Sequence, residues 1–180
     1  MKLIHCLYKT AMNNILIKNS LRFILLIGIQ VLILNKMDLF GYLNPFIYVL
    51  FIILLPFQTN KVLMLFIAFL SGFIIDYFGN TPGLHTSATL FMAFVRPGVL
   101  SMFFGRIEFS QNEEPGIHKL GFFGFFRYAF VLVLVHHFSL FFLEILSFSK
   151  MILILKNTLF SSLITMALIY IYIFLFTRNK

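Results

Sequence analysis

The sequence predicts an all-α polytopic membrane protein, a bundle of about six transmembrane helices with both termini on the cytoplasmic side. Hydrophobic residues make up 61% of the 180-residue chain and charged residues only 11%, whereas a soluble domain has about 25% charged residues. The hydrophobic residues are gathered into long runs, and lysines and arginines stand mostly at the ends of these runs. We therefore expect a single transmembrane domain over residues 1–180.

The apolar runs define the predicted spans, because about 20 apolar residues are needed to cross the ~30 Å core of a bilayer. The longest polar stretch, residues 105–120, is predicted to be a cytoplasmic loop. The first three runs are short, and a single irregular hairpin in place of the first two is the alternative. The predicted spans cover approximately residues 21–37, 39–57, 62–78, 82–104, 121–146 and 151–176.

The basic residues predict the orientation, because cytoplasmic loops are enriched in Lys and Arg. With the N-terminus inside, all of the 14 Lys and Arg residues except Lys36, Lys150 and Lys156 lie at or towards the cytoplasm. The net charge of +8 is thus a topology signal, and it indicates a lipid bilayer as the surroundings and no nucleic acid as a partner. The single cysteine, Cys6, excludes an intrachain disulfide and a cysteine-based metal site.

Asp76 is an ionisable residue at the outer end of the third predicted span. An ionisable side chain at mid-membrane costs at least about 2.5–3.5 kcal/mol, so such residues usually face the interior of a bundle. After a turn containing Pro82 and Gly83, His85 is expected at a similar depth, where a hydrogen-bonded pair with Asp76 would clamp the hairpin. A solvated carboxylate in the turn is the alternative. Gly72, one helical turn before Asp76, predicts a close approach of a neighbouring helix.

Arg96 and Pro97 interrupt the fourth predicted span. Pro97 removes a backbone donor and is expected to kink the helix. Arg96 is expected about 15 Å below Asp76 by helical rise, too far for a direct pair. Its side chain is predicted to extend to the inner headgroups, with contact to a partner protein as the alternative.

The fifth predicted span carries His136, His137 and Glu144. His137 and Glu144 are seven residues apart and share a helix face, whereas adjacent histidines point about 100° apart. Hydrogen bonds between helices are the main expectation for these residues, and a proton or metal pathway is the alternative. Gln30 and Asn44 are likewise expected to be polar packing contacts.

Catalytic signatures are missing from the sequence. Glu113 and Glu114 are adjacent carboxylates, but they lie in the long loop and are followed directly by Pro115. No nucleophile motif, phosphate-binding glycine loop or zinc-binding helix motif occurs. We therefore expect a protein that is not an enzyme and that has no cofactor or metal.

Several motifs in residues 42–98 occur in an order and spacing that resemble the MreD family of rod shape-determining membrane proteins. They are Asn44-Pro45-Phe46, Leu55-Pro56, the Gly72–Asp76 element, Pro82-Gly83-Leu84-His85-Thr86 and Arg96-Pro97. Outside this region, the resemblance lies only in length, span number and hydropathy. The positions that match the family motif are Pro45, Pro56, Gly72, Asp76, Gly83, His85, Arg96 and Pro97.

This resemblance implies a non-catalytic component of the elongation machinery that makes the lateral cell wall, in the bacterial inner membrane. Such a protein binds MreC, and through it MreB, RodA and a penicillin-binding transpeptidase, and it maintains cell shape. The fold implied is similar in type to the substrate-binding membrane subunits of vitamin transporters. Predicted spans two to four would then form the partner-binding surface, with Asp76 and Arg96 contributing their charges.

A solute-binding subunit of a membrane transporter is the alternative function, suggested by the similar fold type. Such subunits resemble one another in a stripe of small residues on the first span, where a coupling protein docks. The first predicted span here contains only Gly28, which disfavours this function.

Overall fold

The computed structural model describes residues 2–37, 44–105 and 113–176, with side chains from residue 17 onward. Every regular element in these ranges is a helix, and two short 3₁₀ turns, Leu34–Lys36 and Phe148–Lys150, precede or follow the longer ones. The α-helices are α1 (Lys2–Leu32), α2 (Val49–Ile53), α3 (Lys61–Gly79), α4 (Leu84–Phe104), α5 (Ile117–Ile145) and α6 (Met151–Phe176).

Five helices are long and apolar enough to cross a membrane: α1 with its 3₁₀ turn over Ile17–Lys36, α3, α4, α5 and α6. The prediction of an all-helical, multispan membrane protein is therefore confirmed at this level. α3 begins where the Asn60 side chain accepts the backbone N–H groups of Val62 and Leu63, as expected of a helix N-cap. α5 begins at Ile117, inside the predicted loop 105–120, and contains a break at Gly121 (φ 71°), the residue at which the fifth span was predicted to begin.

The second predicted span, residues 39–57, is not a continuous helix. Residues 39–43 lie outside the described residues, and in the remainder only Val49–Ile53 is helical. Pro45 and Pro56 flank this turn, and proline has no N–H to donate to a helix ladder. We call residues 44–57 the broken segment. The alternative of an irregular hairpin in place of the first two spans therefore holds for the second span, which is irregular, but not for the first, because α1 is a regular helix.

The broken segment lies in the centre of the bundle. Every residue from Pro45 to Leu55 is buried, and α2 packs against α1, α3, α4 and α5. The remaining long helices pair in chain order, α3 with α4, α4 with α5 and α5 with α6. The hydrophobic core of the protein is therefore built around a short piece of chain that is not itself a membrane-spanning helix.

The two ends of the bundle can be told apart by their contacts. At one end Arg22 of α1 and Phe176 of α6 line the same cavity, so the first helix and the last helix meet there; we call this the Arg22 end. At the opposite end, the Asp76 end, α3 turns into α4. The broken segment runs from the Asp76 end towards the Arg22 end, where the Phe57 N–H donates to the Glu113 carbonyl. The membrane face on which each end lies stays a prediction.

Candidate functional site

The carboxylate of Asp76 binds the first turn of α4. One oxygen accepts the Thr81 hydroxyl at 2.7 Å and the His85 backbone N–H at 3.0 Å. The other accepts the Thr86 backbone N–H at 2.8 Å and the Thr86 hydroxyl at 2.6 Å. The residue at the N-cap position of α4 is Gly83, which has no side chain and a φ of 78°. Asp76 therefore supplies from α3 the cap that α4 does not have.

The predicted clamp between Asp76 and His85 is present, but it is made through the main chain of His85. The imidazole points instead towards Tyr48, whose hydroxyl lies 3.3 Å from His85 Nδ1. The alternative of a solvated carboxylate is wrong, because Asp76 is only 7% exposed and all its described partners are donors within the hairpin.

Gly72 brings α3 and α4 together backbone to backbone. A Cβ atom added at Gly72 would lie 2.4 Å from the Cα atom of Thr86 and 2.8 Å from the His85 carbonyl oxygen. No side chain fits such a gap. The predicted close approach of a neighbouring helix at Gly72 is therefore present, and the helix is α4. Gly72 and Asp76 are four residues apart on one face of α3, and both act on the first turn of α4.

The Asp76 end of the broken segment is held by polar side chains from α1 and α6. Gln30 donates from Nε2 to the Pro45 carbonyl at 3.1 Å and accepts the Ile47 N–H at 2.8 Å. The hydroxyl of Thr165 accepts the Phe46 N–H at 3.1 Å. These bonds replace those that a continuous helix would have made within its own backbone. Gln30 and Thr165 are fully buried, and their polar atoms are paired with the backbone of the broken segment.

Tyr48 is the centre of a polar cluster inside the bundle. Its hydroxyl lies 2.9 Å from the Thr89 hydroxyl and 2.8 Å from Nε2 of His136, besides the contact with His85. The Phe46 ring packs edge-on against His85, at 4.8 Å between ring centroids. The cluster therefore ties the broken segment to α4 and α5 at once.

The two adjacent histidines follow the expectation of hydrogen bonds between helices, in two directions. His136 turns to Tyr48, whereas His137 contacts the Val133 carbonyl at 2.9 Å and the Thr165 hydroxyl at 3.2 Å. Glu144 does not join them: it is exposed and lines a cavity of about 150 Å³ with His85 at the Asp76 end. In the ranges that the structure describes, no group of three or more His, Cys, Asp or Glu side chains is arranged to hold a metal ion.

Arg96 holds the other end of the broken segment. Its Nε donates to the Tyr128 hydroxyl at 2.9 Å, and its Nη2 donates to the Leu55 carbonyl. Tyr128 in turn donates to the Ile53 carbonyl at 2.9 Å, and Nη1 of Arg96 lies 3.6 Å from the sulfur of Met64. The carbonyl of Ile53, the last residue of α2, and that of Leu55, just beyond its C-cap, are therefore bound by a phenol and a cation from neighbouring helices.

The predicted extension of Arg96 to the headgroups is wrong, because this residue is only 1% exposed. Direct contact of its side chain with a partner protein is excluded for the same reason. None of the ion pairs among the described residues includes Arg96. Its charge is stabilised by carbonyl and hydroxyl oxygens inside the bundle, and α4 continues through Pro97 to Phe104.

These contacts all satisfy or stabilise non-helical backbone inside the bundle. Unpaired N–H and C=O groups cost several kcal/mol in hydrocarbon, so a broken segment persists only where protein groups satisfy them. Pro45 and Pro56 bound the segment, and the Pro56 carbonyl accepts the Thr59 hydroxyl at 2.7 Å in the turn towards α3. Sequence reasoning found the charged and histidine members, but it missed Tyr48, Thr89, Tyr128 and Thr165, because single Tyr and Thr residues in apolar runs carry no distinguishing signal.

The fold and the site define a class: a helical, multispan membrane protein whose core is a broken segment capped by buried polar side chains. Comparison of the chain with protein-family models, with curated proteins and with solved structures finds no match.

Proposed function

We propose that this chain is a non-catalytic, MreD-type component of the bacterial cell-wall elongation machinery. In this proposal it lies in the inner membrane and binds MreC, which links it to MreB, RodA and a penicillin-binding transpeptidase. It would help to position peptidoglycan synthesis along the cell and so maintain cell shape.

One observation supports this proposal above others: most of the motif residues behind the resemblance belong to one structural unit. Of the eight positions that match the family motif, all except Pro97 lie in the broken segment, the α3–α4 turn or the first turn of α4, or contact a residue there. The matching positions in this unit are Pro45, Pro56, Gly72, Asp76, Gly83, His85 and Arg96.

The buried charges do not contact the partner in this proposal; they fix the shape of the helices that do. α3 presents four exposed aromatic side chains on one face, at three- and four-residue spacing: Phe66, Phe69, Phe73 and Tyr77, which are between 45% and 72% exposed. Phe69 and Phe73 stack with ring centroids 5.9 Å apart. Since the clamp and Gly72 set the direction of α3, this face is the partner surface that the proposal assigns to MreC.

The orientation that goes with the proposal has the Arg22 end in the cytoplasm. Lys18, Arg22, Lys61 and Lys119 lie at this end, close to Glu113 and Glu114 or at the start of α3. An excess of Lys and Arg favours the cytoplasmic side. The start of α1 and the end of α6 would then lie on the cytoplasmic side.

The test is affinity purification of the tagged full-length chain from its native membrane in a mild detergent, with identification of the proteins that accompany it. Recovery of MreC with wall-elongation proteins is the expected result. Recovery of an ATPase pair, or of a bound small molecule without MreC, would instead indicate the solute-binding subunit of a transporter and overturn the proposal.

A paired variant locates the surface in the same experiment. Replacement of Phe69 and Phe73 by alanine is expected to reduce MreC recovery at least severalfold, because it removes the stacked pair from the proposed contact face. The matched control replaces Ile171 and Phe174 of α6, which are 54% and 70% exposed, and should leave MreC recovery unchanged. Equal losses in both variants would contradict the assignment of the surface to α3.

A further inference from the structure

A cleft of about 300 Å³ opens at the Arg22 end between α1 and α6. This volume is at the lower limit of small-molecule sites, about 300–1,000 Å³, and is enough for a polar headgroup. The cleft is lined by Lys18, Leu21, Arg22, Leu25, Leu54, Glu114, Gly116, Ile117, Tyr172, Ile173 and Phe176.

The polar floor of the cleft carries more positive than negative charge. Glu114 accepts from Nη2 of Arg22 at 2.8 Å and from Nζ of Lys18 at 3.1 Å. Two cations therefore share one carboxylate, and the three side chains sum to a single positive charge. The Arg22 side chain is 11% exposed and that of Lys18 is 60% exposed, so Arg22 forms the inner part of the floor and Lys18 the rim.

The side walls of the cleft are apolar and reach the outside of the bundle. α1 packs on α3 and the broken segment, whereas α6 packs on α5, and residues of α1 and α6 line the cleft from two sides. Leu21 and Phe176 stand on its two walls and are 63% and 62% exposed. A site with a cationic floor and open apolar walls suits an amphiphile with an anionic head.

We propose that this cleft binds the headgroup of an anionic phospholipid, with its phosphate on Arg22 and Lys18. One phosphodiester carries the single negative charge that the three floor residues leave uncompensated. The acyl chains lie along the exposed walls of α1 and α6, beside Leu21 and Phe176. The site is independent of the proposed function and of which membrane face the Arg22 end occupies.

The experiment is native mass spectrometry of the purified full-length protein, titrated with phosphatidylglycerol or with phosphatidylcholine in the same detergent. The wild-type protein is expected to retain phosphatidylglycerol more tightly. Arg22→Gln should weaken that retention about fivefold, as should Lys18→Gln, the expected effect of one basic residue on an anionic lipid. Lys18 is exposed, so its variant keeps the test valid if Arg22→Gln does not fold.

Two further variants separate a built site from general attraction between charges. Arg127→Gln removes an exposed cation of α5 outside the cleft and should leave retention unchanged. Glu114→Gln raises the charge of the floor and should tighten retention of phosphatidylglycerol, whereas a purely structural role for Glu114 predicts weaker retention.

Equal retention of the two lipids by the wild-type protein would overturn the proposal. So would equal losses in Arg22→Gln and Arg127→Gln, or weaker retention in Glu114→Gln at an unchanged thermal midpoint in phosphatidylcholine. Competition by soluble glycerophosphoglycerol at the same concentration as the lipid would show a site for a free anion and would also overturn it.

Discussion

At the residue scale, Gly72 and Asp76 act together on the first turn of α4. Gly72 has no side chain to keep Thr86 away, and Asp76 then reaches the two N–H groups of His85 and Thr86. Neither residue could do this alone, because the carboxylate would not reach α4 if the helices stood further apart. The four-residue spacing of Gly72 and Asp76 is therefore a single structural device, which caps one helix from its neighbour.

Gly72→Ala is expected to destabilise the protein by at least about 3 kcal/mol, the upper range for overpacking a well-packed core. The added Cβ would lie 2.4 Å from backbone atoms of Thr86, which cannot move without displacing α4. Thermal unfolding in detergent measures the loss. Gly28→Ala is the control: nothing lies within 4 Å of its added Cβ, so its midpoint should stay the same or rise slightly. Similar midpoints for both variants would contradict the backbone contact.

Asp76→Ala removes four hydrogen bonds to a charged acceptor. Bonds to charged groups contribute about 1.5–3 kcal/mol each and are not additive, so we expect a loss of roughly 3–5 kcal/mol in the free energy of unfolding. Glu144→Gln, at an exposed carboxylate of the same end, should change it by less than about 0.5 kcal/mol. Unfolding curves of the two variants, measured under the same conditions, give both free energies of unfolding. A small loss for Asp76→Ala would show that the cap is dispensable.

At the scale of the element, the broken segment crosses the bundle with only Val49–Ile53 in helical form. Its backbone is satisfied at one end by Gln30 and Thr165 and at the other by Arg96 and Tyr128. Lipid could not supply these bonds, so the segment is stable only in the centre of the other helices. Each cap comes from a different helix, and the segment therefore joins the bundle as a whole.

Arg96→Met is expected to lower the free energy of unfolding by about 3 kcal/mol or more, because it leaves a buried carbonyl unpaired. Arg96→Lys should be intermediate, since one ammonium cannot reach both Leu55 and Tyr128 in the way the guanidinium does. A double-mutant cycle with Tyr128→Phe should show a coupling of about 0.5–3 kcal/mol, because the two side chains are hydrogen-bonded to each other and bind carbonyl groups at the same end of the broken segment. The control, Arg127→Gln, alters an exposed residue and should be nearly neutral; strict additivity of Arg96 and Tyr128 would argue against a shared cap.

At the scale of the whole molecule, the chain turns back at each end of the bundle. The turn after the broken segment and the Lys119–Glu113 pair lie at the Arg22 end. The α3–α4 turn and the C-terminal end of α5 lie at the Asp76 end, where Gly79 and Glu144 line one cavity. Alternating passes of this kind bring the C-terminal part of α6 to the Arg22 end, where Phe176 and Arg22 line one cavity.

Cysteine labelling in membranes tests this course of the chain in a variant in which Cys6 is replaced by serine. Single cysteines at Lys61 and Lys119 should react with a membrane-impermeant maleimide from one face only. Cysteines at Pro82 and Ser149 should react from the other face only, because these four positions are exposed at opposite ends of the bundle. Reaction of the Lys61 and Pro82 positions from the same face would show that α3 does not cross.

The sequence by itself determined the class of the protein and most helix boundaries. The spans predicted at 62–78, 82–104 and 151–176 correspond to α3 (Lys61–Gly79), α4 (Leu84–Phe104) and α6 (Met151–Phe176). The reason is local: a long apolar run excludes an aqueous surface, and the polar and turn-forming residues between the runs mark their ends. Asp76 could be assigned to the α3–α4 turn for the same reason, since its partners are at most ten residues away.

Only the tertiary structure decided the fate of residues 44–57 and of Arg96. Hydropathy cannot distinguish an apolar helix in contact with lipid from apolar chain buried among other helices, so the broken segment was predicted as a span. The acceptors of Arg96 are Tyr128, 32 residues away, and the Leu55 carbonyl, 41 residues away. Because the sequence does not reveal such distant partners, the prediction placed the Arg96 side chain at the headgroups. Which buried donor meets which carbonyl depends on how the helices pack, and no local pattern in the chain contains that information.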